Sequence, residues 1–119
     1  MKIKHSLTGA FRYAFAGCVS FFTTERNGRI QLLIALSAII ISVVTNISAA
    51  EWCIVLLCIG LVISLEMINS AIEKLCDKMQ TGYDPVIKVV KDIAAGAVLW
   101  ASLISVIIGL LIFIPKILK

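Results

Sequence analysis

Long uncharged runs alternate with short clusters of charge along this chain. From Ile30 to Ala50 the stretch "IQLLIALSAIIISVVTNISAA" contains no Asp, Glu, Lys or Arg. About 20 such residues cross a bilayer core as a helix, so 30–50 predicts a first span. A short turn near Asn46 to Glu51 leads to a second span, 52–72, which continues as a polar helical extension. Residues 93–114 predict a third span, ended by Pro115 and the tail "KILK". Ahead of them, within 2–24, Leu7, Phe11, Phe15, Cys18 and Phe22 recur at spacings of three or four, while Lys4, Thr8 and Arg12 take another face. That is the pattern of a helix lying in the headgroup plane. Two breaks separate these elements. "TERNGR" carries Gly28 as a turn or helix-end residue, and "QTGYDP" holds two helix breakers, Gly82 and Pro85. The expected fold is an all-α membrane protein, a surface helix plus three transmembrane helices, forming one domain over 1–119.

Composition agrees with the pattern. Of 119 residues, 61% are hydrophobic and the mean hydropathy is +1.05, against roughly 45–50% apolar residues in a soluble domain. A chain of this length has no room for a soluble catalytic domain beside its spans, so any active site is built at the membrane. The net charge is +4. A basic balance can signal nucleic acid, but here the cations flank the spans. Lys2, Lys4, Arg12, Arg26 and Arg29 precede the first span, and Lys74, Lys78, Lys88 and Lys91 lie between the second and third. The first turn between spans has no Lys or Arg, and only Lys116 and Lys119 follow the third span. The positive-inside rule therefore puts the N-terminal helix and the second connection in the cytoplasm and the C-terminus outside. Cys18, Cys53, Cys58 and Cys76 form no CxxC pair and read as small apolar filler. The basic start "MKIKHSLTGAFRYAF" lacks the long apolar core and cleavage site of a signal peptide.

Candidate chemistry begins in "SLEMINSAIEKLCDK", Ser64 to Lys78. With Glu66 at zero on a helical wheel, Asn69 falls near ~300°, Glu73 near ~340° and Asp77 near ~20°. Four oxygen-bearing side chains share one face. An acid inside hydrocarbon costs roughly 2.5–3.5 kcal/mol on insertion scales, and such residues mark proton pathways, ion sites or catalysis. The plainer reading of Glu66 is an acid paired with a neighbouring helix purely for assembly. As a catalytic group it would accept a proton from a hydroxyl. Hard oxygen ligands at this spacing suit Mg²⁺ bridging carboxylates to phosphates, and like charges at i,i+4 repel, so Glu73 and Asp77 together favour a bound cation. Glu25 enters the same interfacial layer from the other side. Lys91 and Asp92 open the third span, either as a phosphate-contacting pair or as a positive-inside anchor and an ordinary N-cap.

Several chemistries are excluded. There is no GxxxxGK[ST] phosphate loop and no HRD or DFG signature. His5 is the only histidine, which argues against a His-based zinc site or a Ser-His-Asp triad. A small proton-coupled transporter is a rival class, since one embedded glutamate suits antiport, and an inactive assembly subunit is a third. "EMINSAIEKLCD" followed by "KDIAAGAV", however, resembles the prokaryotic diacylglycerol kinase family, with its E-x-x-N-[ST]-A-I-E-x-x-x-D motif and downstream K-D-x-A-A-G-A-V. The likeness extends over nearly the whole chain, including the basic amphipathic start and "ERN" before the first span. It implies a homotrimer in the bacterial cytoplasmic membrane, with active sites between subunits at the cytoplasmic face. It implies ATP as co-substrate, Mg²⁺, and a membrane lipid alcohol as acceptor. By the same resemblance Glu66 is the catalytic base, with Asn69 beside it, and Glu25 and Glu73 are metal-associated. Tyr13, Asp77, Gly82, Tyr83, Asp84, Lys91 and Asp92, with Glu25 and Glu73, meet the nucleotide. Ser70 and Trp100, with Glu66, are expected near the lipid. Two departures stand out: Asp84 where some members have His, and Ser6 where some have Arg. "ISAAEWCIVLL", "TERN" and "IGLLIFIPKIL" look more like the branch that phosphorylates undecaprenol than the one that phosphorylates diacylglycerol.

Overall fold

The computed structural model describes residues 6–79 and 82–119. These form four helices: α1 Leu7–Thr24, α2 Arg26–Thr45, α3 Ala49–Met79 and α4 Pro85–Ile117. The start of the expected surface helix, 2–5, and Gln80 and Thr81 of the second turn lie outside the described residues. Helices α2, α3 and α4 are each long and apolar enough to cross a membrane.

Length alone separates the two ends of the bundle. At 1.5 Å per residue, the 20 residues of α2 match the ~30 Å hydrocarbon core. Helices α3 and α4 have 31 and 33 residues, and so exceed that core by roughly ten residues each. The α2–α3 turn, Asn46 to Ser48, is short, so the excess of α3 falls at the opposite end, where its polar residues are. Asn46 closes α2 in the left-handed region (φ 54°), and its N–H reaches the carbonyls of Ser42 and Val43. Asparagine tolerates that conformation better than most residues. Ser48 and Glu51 then cap α3 reciprocally: the Ser48 N–H donates to Glu51 Oε1 at 2.9 Å, and the Glu51 N–H to Ser48 Oγ at 3.2 Å. Glu51 therefore belongs to the first turn of α3. Its carboxylate also pairs with Lys116 of α4 at 3.1 Å. Beside this clasp sits an apolar cluster of Ile47, Val55 and Ile112, with Trp52, Ile59, Ile108 and Phe113 packed against it.

Three sequence expectations need correcting. The break between α1 and α2 falls on Glu25 alone, which is extended (φ −93°, ψ 127°), whereas Gly28 is inside α2. Gly28 is there for space: a Cβ would come within 2.3 Å of the Phe21 carbonyl oxygen. Pro115 does not end α4, which runs on to Ile117 and closes with the Leu118 N–H on the Ile114 carbonyl at 3.0 Å. So close to its end, the helix loses only one internal bond to the proline. Asp92 is inside α4, and its N-cap is Asp84, whose Oδ1 accepts from the N–H groups of Val86 (2.8 Å) and Ile87 (3.3 Å). Pro85 follows at the first helical position, where its missing N–H costs nothing.

Helix α1 packs on α2 through the buried Phe21, while Leu7, Phe11 and Phe15 are 76, 68 and 72% exposed. Its apolar stripe thus faces away from the bundle. Ser6 caps it, accepting from the Gly9 N–H at 3.0 Å.

Candidate active site

One buried stripe of α3 changes character along its length. Val55 and Val62 make it apolar in its first half, and Glu66, Asn69 and Ser70, all buried, make it polar further on. A buried carboxylate requires a donor. Asn27, in the first turn of α2, supplies it: its Nδ2 donates to Glu66 Oε1 at 3.2 Å. One turn along α3, Asn69 Nδ2 donates to Glu73 Oε1 at 3.1 Å, so these i,i+4 residues share the face that helical periodicity assigns them. Asn69 Oδ1 is buried without a partner. An orphaned acceptor costs about 1–3 kcal/mol, and it marks a place that would accept a donor or a cation.

Among the described residues, three ion pairs surround this stripe. Lys74 Nζ lies 2.9 Å from Glu25 Oε2, joining the α1–α2 elbow to α3. Lys91 of α4 holds Asp77 of α3 at 2.8 Å, and Lys88 holds Asp92 at 2.6 Å. Within the chain, Lys91 faces Asp77 and the Asn69 amide faces Glu73, and both contacts ease the expected Glu73–Asp77 repulsion. Among the described residues no three His, Cys, Asp or Glu side chains converge into a metal cage. Glu25, Glu73 and the free Asn69 Oδ1 are nonetheless hard oxygen donors. That set fits Mg²⁺, which keeps several waters and takes only one or two carboxylates from protein. Lys74 supplies the positive charge beside Glu25 in this structure.

Beneath the polar stripe, α2, α3 and α4 surround a largely apolar cleft of about 370 Å³, reaching from Gln31 and Ile63 to Val55 and Phe113. Gln31 and Ile63, at its polar end, lie about one helical turn from Asn27 and Glu66, which do not themselves line the cleft. Trp100 is 70% exposed and lines a separate groove between α3 and α4 with Leu61 and Leu65.

The structure thus joins Glu66, Asn69, Glu73 and Glu25 through α3 and the elbow. Tyr13, Gly82 and Tyr83 are exposed, and among the described residues no side-chain hydrogen bond ties them to that group. The Tyr13 ring sits 5.6 Å from the Arg12 guanidinium carbon. Asp84 is engaged as a cap. Sequence reasoning missed Asn27 and Lys74 as partners of Glu66 and Glu25. Asn27 lies in the "ERN" that the resemblance had already picked out, but nothing local gave it a role.

A buried carboxylate with one oxygen tethered, about one turn from an apolar cleft and beside a row of acids and cations, is suited to deprotonating a lipid hydroxyl next to a phosphate donor. Comparison with known proteins bears on this chemistry. Residues 12–113 match the family described as prokaryotic diacylglycerol kinase. Undecaprenol kinase of Bacillus subtilis is 41% identical over 107 residues, covering 90% of this chain and 87% of that protein. Diacylglycerol kinase of a Synechocystis species is 34% identical over 119 residues, covering 99% of this chain and 68% of that protein. The matched region runs from α1 through α4 and contains the buried acid with all its partners: the chain belongs to the prokaryotic diacylglycerol kinase family and is a multi-pass membrane lipid kinase.

Proposed function

We propose that this kinase transfers the γ-phosphate of ATP to the primary hydroxyl of undecaprenol, with Glu66 as the general base. The carrying observation is the Glu66 carboxylate, 4% exposed and held at one oxygen by Asn27. As the lipid oxygen attacks the γ-phosphorus, Glu66 takes the hydroxyl proton and ADP leaves with the β–γ bridging oxygen. Asn69 stands beside Glu66 and keeps Glu73 in place. Glu25, Glu73 and Asn69 Oδ1 would hold Mg²⁺, which supplies charge neutralisation on the triphosphate. Lys91 and Asp77 line the nucleotide side, with Asp92, Asp84, Gly82, Tyr83 and Tyr13 around it.

Undecaprenol is favoured because the relative of that name is 41% identical, against 34% for the relative named diacylglycerol kinase. The site also offers few donors for the ester carbonyls of a diester: the Asn27 and Asn69 amides each already give one N–H to a carboxylate. Diacylglycerol is the second reading, supported by the Synechocystis relative. The chain acts as one domain in the bacterial cytoplasmic membrane, with α1 at the cytoplasmic surface. The outward apolar stripe of α1 supports that placement. It assembles as a homotrimer with sites between subunits, a reading supported by Gly60 and Gly96, which have open space around them and would let helices approach closely. The test is kcat/KM for both lipids in mixed micelles at matched surface fraction, with labelled ATP. A clear preference for diacylglycerol overturns the choice of lipid and leaves the kinase assignment intact.

A further inference from the structure

We infer that Asn27 is a positioning residue for catalysis: its amide aims the Glu66 carboxylate at the lipid hydroxyl. This rests on the reading of Glu66 as the base. Three observations carry it. First, the bond is directional. A carboxylate only accepts, so the Asn27 side chain must present its NH₂ group, and that group takes Oε1 at 3.2 Å. Second, no cation competes. The ion pairs among the described residues join Lys74 to Glu25, Lys88 to Asp92, Lys91 to Asp77 and Lys116 to Glu51, and none reaches Glu66. A lysine or arginine there would stabilise the carboxylate charge and weaken it as a base. A neutral amide orients it at much smaller cost in basicity. Third, the donor sits on a rigid mount. Gly28 is pressed against the Phe21 carbonyl, the Arg29 N–H reaches the Glu25 carbonyl at 3.2 Å, and Arg29 Nη1 donates to the Thr23 carbonyl at 2.8 Å. Asn27 stands in the middle of this elbow. It therefore transmits the position of the elbow to a carboxylate 39 positions away in sequence, and leaves Oε2 to meet the substrate.

The test uses the full chain in mixed micelles, with whichever of undecaprenol and diacylglycerol gives the higher kcat/KM. Asn27→Ala removes the donor. Asn27→Asp keeps the shape of the side chain and replaces the donor with an acceptor. Both are expected to lower kcat roughly 10- to 100-fold, the range for losing a hydrogen bond to a charged group or displacing a reacting group. The KM for ATP should stay within about threefold, since the loss is confined to the transition state. In a Glu66→Ala background, adding Asn27→Ala should change the residual rate by less than about twofold, because nothing remains to be aimed. Wild-type kcat in Asn27→Asp would show that only packing matters and overturn the inference. A full Asn27 penalty repeated in the Glu66→Ala background would place its action elsewhere and do the same. Near-normal turnover of Glu66→Ala alone would remove Glu66 as the base, a failure visible before Asn27 is altered.

Discussion

At the scale of single residues, the polar stripe of α3 sets activity against stability. Glu66→Gln keeps the Asn27 contact available through its amide oxygen and removes the proposed base. It is expected to lower turnover roughly 10²–10⁴-fold, as for loss of a general base, with nucleotide binding retained. Single-turnover rates with labelled ATP and a separate nucleotide-binding measurement check this. Asn69 gives the opposite contrast. Its Oδ1 is buried and unpartnered, so Asn69→Leu removes a penalty of about 1–3 kcal/mol while losing one hydrogen bond to Glu73, which water can replace. Thermal unfolding in detergent should show a midpoint equal to or above that of the wild type, with activity down at least about tenfold. A parallel fall in both would mean that Asn69 is chiefly structural.

At the scale of elements, the α1–α2 elbow is the joint on which the site depends. Its tightest point is Gly28, where a Cβ would lie 2.3 Å from the Phe21 oxygen. That contact is to backbone and cannot be relieved by a rotamer change. Gly28→Ala should force α1 and α2 apart, costing stability and shifting Glu25 and Asn27 together. We expect a lower unfolding midpoint and a loss of kcat. Gly17, in the interior of α1, provides the control, because a Cβ there meets nothing within 4 Å. Gly17→Ala should be neutral or stabilise α1 by up to about 1 kcal/mol. Equal behaviour of the two variants in a melting and activity comparison would show that the elbow carries no special constraint.

At the scale of the whole molecule, the two ends of the bundle do different things. The far end is closed by the capping box and the Glu51–Lys116 pair, whose side chains are only 26 and 29% exposed. The near end carries the acid row. Glu51→Gln should lower the unfolding midpoint only slightly, as for a solvated ion pair, with kcat unchanged because the pair lies at the opposite end from Glu66. A kcat loss comparable to that of Asn27→Ala would show that the two ends are coupled. The same polarity predicts topology. In a variant free of native cysteines, a membrane-impermeant thiol reagent should label Tyr83→Cys only from the cytoplasmic side and Leu118→Cys only from outside. Labelling of both from one side would contradict the orientation drawn from the lysines.

The sequence by itself determined the helical class, the three apolar spans and the face shared by Glu66, Asn69 and Glu73. These depend on quantities that a chain carries in one dimension: the length of an uncharged run against bilayer thickness, and a 100° turn per residue. The motif that begins at Glu66 was legible for the same reason, being contiguous. Tertiary structure alone decided which donor holds Glu66, which lysine neutralises Glu25 and Asp77, and where the helix ends fall. Asn27 and Lys74 are ordinary surface residues, and Lys91 a cation without a named partner, until the elbow at Glu25 and the α3–α4 packing set the rotation of each helix. Asp92 looked like a cap because an acid precedes an apolar run, but Asp84 and Pro85 start the helix two turns earlier, and Lys88 takes Asp92 instead. Local periodicity states which residues share a face. It does not state which face meets another, because that depends on contacts between segments far apart in the chain.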